Sequence, residues 1–109
     1  MSDGLNYTVE LKLKDKEVTE ELKRRIESRM KEVCVTIMDD AKRECPVDTG
    51  RLQGSITYAV DGQKGAVGTN VEYAPFVHDG TSRMPARPFL RNAGEKNKDK
   101  IARMFEGLV

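Results

Sequence analysis

The sequence predicts an α+β fold. A long helix in the N-terminal half packs on a small antiparallel sheet, built of one strand and a hairpin, and a helix closes the C-terminal end. Apolar residues recur at helical spacing from Leu22 to Ala41. Two short stretches, Ile56–Val60 and Val67–Tyr73, alternate apolar and polar residues on either side of Asp61-Gly62-Gln63-Lys64-Gly65. Phe89, Leu90, Ala93, Ile101, Met104, Phe105 and Leu108 form a last apolar stripe.

The elements follow in chain order. Tyr7, Val9, Leu11 and Leu13 alternate with polar residues, which predicts a half-buried first strand over 7–13. Thr19 is a suitable N-cap for the long helix, and Glu20 and Glu21 suit the positive end of its dipole. Leu22, Ile26, Val33, Ile37 and Ala41 then form its inner face, with Met30 and Cys34 on the flanks. Glu20 with Arg24, and Glu27 with Lys31, are spaced to pair on the outer face. Pro46 ends the helix and turns Cys45 away from helical geometry.

The bend Pro46-Val47-Asp48-Thr49-Gly50 comes next. The Asp48 carboxylate is placed to accept the amides of Gly50 or Arg51, with Thr49 beside it, and Gly50 supplies an unusual backbone angle. A short helical turn is expected over Gly50–Ser55, with Leu52 inward, and then the hairpin. Residues 74–88 carry three prolines and a glycine and read as a loop. Pro88 suits the first turn of a last helix, which the polar run Gly94–Lys100 weakens. A chain of 109 residues is expected to form one domain over 1–109, with residues 1–6 a flexible N-terminus and 76–88 an extended loop.

Charge and composition narrow the function. A formal net charge of +1 exerts no general pull on nucleic acid or anionic membrane. No apolar run approaches the ~20 residues of a membrane span, and the N-terminus shows no basic-then-apolar signal segment. If Cys34 and Cys45 share one helix, they lie ~16 Å apart along it. That is too far for a disulfide, which needs Cα atoms within roughly 7 Å. Two reduced thiols are expected. Two cysteines and the single His78 are too few for a zinc site, and no phosphate-binding or dinucleotide-binding fingerprint is present, so no metal and no cofactor is expected.

Asp48-Thr49-Gly50 spells the triplet of aspartic proteases. That chemistry needs two carboxylates sharing a proton, hence a dimer, with each Asp on a loop between buried strands. Here a helix pattern precedes Asp48, Arg51 follows it, and no apolar-apolar-Gly partner motif appears later. A turn with side-chain caps accounts for the triplet better than a catalytic residue does, and no catalytic residue is assigned. His78, next to Asp79, has no cysteine promised within reach and is expected at the surface or at an interface. Arg83, Arg87 and Arg91 open a positive stretch, Arg83 to Lys100, in which Glu95 and Asp99 are the acids. It suits an acidic partner, or DNA backbone, but no aromatic stacking surface accompanies it to read nucleic-acid sequence.

The order of motifs is more telling than any one of them. Pro46 to Gly50, Leu52, Ser55-Ile56, Tyr73-Ala74, Gly80-Thr81 and Arg87-Pro88-Phe89-Leu90 follow one another over residues 18–108. This order resembles the small head–tail joining, or tail-completion, proteins of tailed bacteriophages and prophages. The acid before Gly-Thr is kept as Asp79, while His78 is a departure from the pattern. The resemblance implies a structural protein of the virion without catalysis: a minor tail or neck protein that self-associates into a ring at the head–tail junction. Its partners would be the portal or connector and the tail tube or tail terminator proteins, and it would pass through the bacterial host cytoplasm during assembly. Contacts are expected from Phe76, His78, Asp79, Thr81, Arg83, Arg87 and Arg91. Pro46, Asp48, Thr49, Gly50, Gly80, Pro88 and Phe89 would shape the bend and the loop that carry them. A nucleic-acid-binding phage accessory protein is the alternative, with the dimeric aspartic protease behind it.

Overall fold

The computed structural model describes residues 4–12, 19–46 and 50–108. Its elements run β1 (Leu5–Glu10), α1 (Glu20–Glu44), α2 (Arg51–Ser55), β2 (Thr57–Asp61), β3 (Lys64–Thr69), α3 (Ala74–Asp79), α4 (Phe89–Lys96) and α5 (Lys98–Phe105). The fold is α+β, as the patterns predict. The sheet has the order β1-β3-β2 and is antiparallel throughout, with Tyr7 opposite Val67 and Val67 opposite Tyr58.

α1 starts where its cap dictates. The Thr19 hydroxyl accepts the Leu22 amide at 3.1 Å, and Glu20 and Glu21 occupy the first turn. Ile26, Met30, Val33, Cys34, Ile37 and Ala41 are buried, so one stripe of the helix enters the core. There it meets Leu52, Ile56, Val67, Val71, Phe89, Leu90, Ala93, Phe105 and Leu108. Outer-face ion pairs form with other partners than the spacing suggests. Glu20 binds Lys23 at 3.3 Å, and Arg29 binds Glu32 at 3.4 Å. Exposed pairs of this kind stabilise a helix by about 0.3–0.5 kcal/mol, too little to fix one choice of partner.

Three expectations need correction. The first strand spans Leu5–Glu10 rather than 7–13, so Leu5 and Asn6 are not part of a flexible terminus; Leu13 lies outside the described residues. β3 ends at Thr69 although the alternation continues to Tyr73. The Thr69 hydroxyl accepts the Val71 amide at 3.1 Å and meets the Ser55 hydroxyl at 2.6 Å, which turns the chain out of the sheet. Residues 74–79 are not loop but α3, because Pro75 falls in its first turn, where a missing amide costs nothing. The C-terminal helix breaks within the polar run Gly94–Lys100, as expected, and does so at Asn97, while Gly94 is buried within α4. A Cβ on Gly94 would lie 2.1 Å from the Tyr7 ring, so the glycine is there to let β1 approach α4. The Tyr7 hydroxyl donates to Glu95 at 3.1 Å across the same contact.

Asn97 breaks the helix because its side chain is engaged elsewhere. Its amide donates to Asp40 of α1 at 2.7 Å and to the Ala93 carbonyl at 2.8 Å. Arg43 also bonds Asp40, and Lys96 reaches Glu44 at 3.4 Å. The hydrogen bond from Asn97, then the charges of Lys96, Arg43 and Lys100, hold the Asp40 carboxyl below its ordinary range against the opposing effect of burial. A carboxyl so lowered stabilises the fold above its unfolded value and loses that contribution as pH falls through the folded one. Asn97→Ala should therefore cost about 1–3 kcal/mol near neutrality, since it strips a buried carboxylate of its closest donor. Urea melts across a pH series check this. The deficit should shrink as Asp40 protonates, and an equal deficit at every pH would contradict the account.

Candidate functional site

The bend after α1 delivers the chain to the rest of the fold. Pro46 is half-buried directly after Cys45, and Gly50 adopts φ 77° before α2. Asp48 and Thr49, with their expected caps, lie outside the described residues. The elements on either side of the triplet are the helices α1 and α2, not the buried strands that a protease loop requires. Arg51 binds Glu72 through both terminal nitrogens, at 3.2 and 3.0 Å, and lies 5.3 Å over the Tyr73 ring. This ties α2 to the start of α3. Cys34 and Cys45 are free thiols, and burial pushes both up from the ordinary thiol range.

Residues 74–91 are an ordered segment and not an extended loop from residue 76. α3 ends at Gly80, which accepts no Cβ: its φ is 80° and ψ 170°, and a Cβ would lie 2.7 Å from the Ala86 nitrogen. Residues 81–84 then close on themselves. The Thr81 amide donates to the Met84 carbonyl at 2.8 Å, and the Met84 amide returns to Thr81 at 3.2 Å. The Thr81 hydroxyl accepts the Arg83 amide at 3.1 Å. Arg87 brings the chain back, its amide donating to the Val77 carbonyl at 3.0 Å. After Pro88, Phe89 and Leu90 enter the core at 1 % exposure each and anchor the segment.

The surface of this segment is unusual for the molecule. Phe76 is 58 % and Met84 38 % exposed, and they are the exposed large hydrophobic residues among those described. Thr81, Arg83 and Arg87 are exposed along the turn, and Arg91 on α4. None of the three arginines forms an ion pair with a described residue. Asp79 is also exposed, but its carboxylate is held by His78.

His78 is a correction. Expected at the surface or at an interface, it is 5 % exposed within the chain itself. Its Nε2 accepts the Arg91 amide at 3.1 Å, its Nδ1 meets the Asp79 carboxylate at 2.9 Å, and its ring stands edge-on to Phe89 at 5.4 Å. A visible trace of this role exists in the sequence. α4 begins after Pro88 with no Ser, Thr, Asp or Asn at its cap, so its first-turn amides need an acceptor from elsewhere.

Among the described residues no group of three His, Cys, Asp or Glu side chains is placed to hold a metal ion. No helix among them is long and apolar enough to cross a membrane. The site offers two apolar side chains and three cations on a prefolded turn.

These features define a small α+β scaffold that presents exposed apolar and cationic side chains on a hydrogen-bonded turn. The family model described as "Bacteriophage HK97-gp10, putative tail-component" matches residues 10–80, which is more than half of the chain. The chain belongs to this HK97-gp10-like family of phage tail components. The match covers the bend, the hairpin and α3, while Arg87–Leu90 lie beyond it. Comparison with curated proteins gives no match, and comparison with solved structures gives none.

Proposed function

We propose that this chain is a structural protein of the phage neck, a tail-completion subunit that joins a ring at the head–tail junction. It acts as one domain and without catalysis. Residues 76–91 dock on a neighbouring subunit or on the portal, connector or tail proteins, with the arginines meeting carboxylates and Phe76 and Met84 entering an apolar surface. Assembly takes place in the host cytoplasm, and the finished protein resides in the virion.

One observation supports this reading most: the exposed turn is already folded before any partner arrives. Ordering eight free residues on docking would cost on the order of 10 kcal/mol in backbone entropy. Burying a half-exposed Phe returns only about 1–2 kcal/mol. Contacts this small sustain an interface only if the ordering cost has been met in folding, and the hydrogen bonds over 80–87 meet it. A repeated contact between unlike surfaces then closes a ring. Gold labelling of the chain in assembled particles tests the reading. Label at the junction between head and tail is expected; label only along the distal tail, or none in the particle, would overturn it.

A further inference from the structure

We infer that His78 is the positioning residue of the docking segment, and that its neutral form, protonated on Nδ1, is the one competent for assembly. The inference rests on the docking reading above. α4 has no side-chain cap at Pro88, and His78, thirteen residues before Arg91, supplies the missing acceptor. An imidazole nitrogen that accepts an amide proton must carry its lone pair, so the ring proton sits on Nδ1 and is donated to Asp79. The two neighbours thus fix one tautomer. Through it, α3 and α4 are joined across the base of the turn, and the edge contact with Phe89 holds the ring in place.

A second proton turns this joint against itself. Nε2 becomes a donor facing the Arg91 N–H, at the positive end of α4. The charged and titratable groups around the ring come from three elements. Asp79 lies on α3, while Arg91 and Glu95 of α4 and Tyr7 of β1 line the same shallow cleft. The Asp79 carboxylate is engaged by Nδ1 and that of Glu95 by the Tyr7 hydroxyl, so both acceptors are already committed elsewhere. Acidification therefore frees the start of α4 from α3, and the turn over 80–87 loses one side of its frame.

Two variants separate the roles of the ring. His78→Gln offers an amide oxygen near the place of Nε2 and does not titrate. His78→Phe keeps the ring volume and offers no acceptor. The readouts are ¹⁵N shifts of the imidazole, the hydrogen-exchange protection of the Arg91 amide in the isolated chain, and particle yield at about pH 7 and about pH 5. In the wild type, protection of Arg91 should fall about tenfold as His78 takes its second proton, the loss of one hydrogen bond, and yield should fall with it. His78→Gln should keep both at either pH. His78→Phe should lack both at either pH while melting cooperatively. A wild-type Nε2 that carries the proton near neutrality overturns the inference, as does equal acid response in wild type and His78→Gln. If His78→Phe does not fold, those two comparisons still decide. Loss of protection without loss of yield removes the positioning role and leaves the docking reading standing, which Arg83 tests separately.

Discussion

Arg83→Glu is expected to leave the fold intact and to block the attachment of tails to heads. Arg83 is exposed, and its side chain forms no ion pair with a described residue. Substitutions at such positions usually change stability by less than about 0.5 kcal/mol. At an interface the arithmetic differs. Reversing the charge sets a carboxylate against the carboxylates that an arginine would meet, and like charges so placed cost several kcal/mol. Each 1.4 kcal/mol is a tenfold loss of affinity, so one contact should weaken by about a hundredfold or more. In a ring the loss recurs at every subunit. The checks are a thermal melt, expected to match the wild type within about 2 °C, and electron microscopy of lysates, expected to show separate heads and tails. Wild-type infectivity would place the docking surface elsewhere.

Gly80→Ala should damage the scaffold of the same surface. With φ 80° and ψ 170°, Gly80 occupies a region open essentially to glycine alone. The strain of another residue there is about 1–3 kcal/mol. A Cβ at this position would also lie 2.7 Å from the Ala86 nitrogen and 3.0 Å from the Met84 carbonyl oxygen. Both are backbone atoms and cannot swing aside as a side-chain tip would. The turn must open, and the paired bonds between Thr81 and Met84 are the first to go. A net loss of about 2–4 kcal/mol is expected, which in a domain of this size lowers the melting temperature by roughly 10–20 °C. Gly54→Ala is the control. No described atom would lie within 4 Å of a Cβ there and its φ is not positive, so it should be neutral or slightly stabilising. Equal effects of the two substitutions would contradict this account of the turn.

Much of the scaffold was legible because its determinants are local. The stripe from Ile26 to Ala41, the Thr19 cap and Pro46 define α1 without help from the rest of the chain. The hairpin and the short helix at Leu52 follow from alternation and glycine placement. What escaped depends on partners far away in sequence. Thr69 ends β3 by bonding Ser55 as well as its own neighbour, and the exact point at which the polar run Gly94–Lys100 breaks the last helix is set by Asn97 reaching Asp40 in α1. α3 escaped for a different reason. Pro75 reads as a breaker in a loop of prolines and as a good first-turn residue only once the helix start is known.

The candidate site divides in the same way. Its exposed arginines and its anchors, Phe89 and Leu90, follow from residue type alone. His78 does not. A lone histidine beside Asp and Gly defaults to the surface, and only the arrival of α4 thirteen residues later buries it and gives its nitrogen a task. His78 is also a departure from the pattern on which the resemblance rests, so that resemblance assigns it no such role.

The central claim is that residues 76–91 are a prefolded docking surface within the neck of the virion. An electron cryo-microscopy map of assembled particles, at a resolution that shows side chains, tests it most directly. The account predicts this domain at the head–tail junction, with Phe76 and Met84 covered by a neighbouring chain and Arg83 and Arg87 within ion-pair distance of its carboxylates. A map that places the domain there with this segment facing solvent would contradict it.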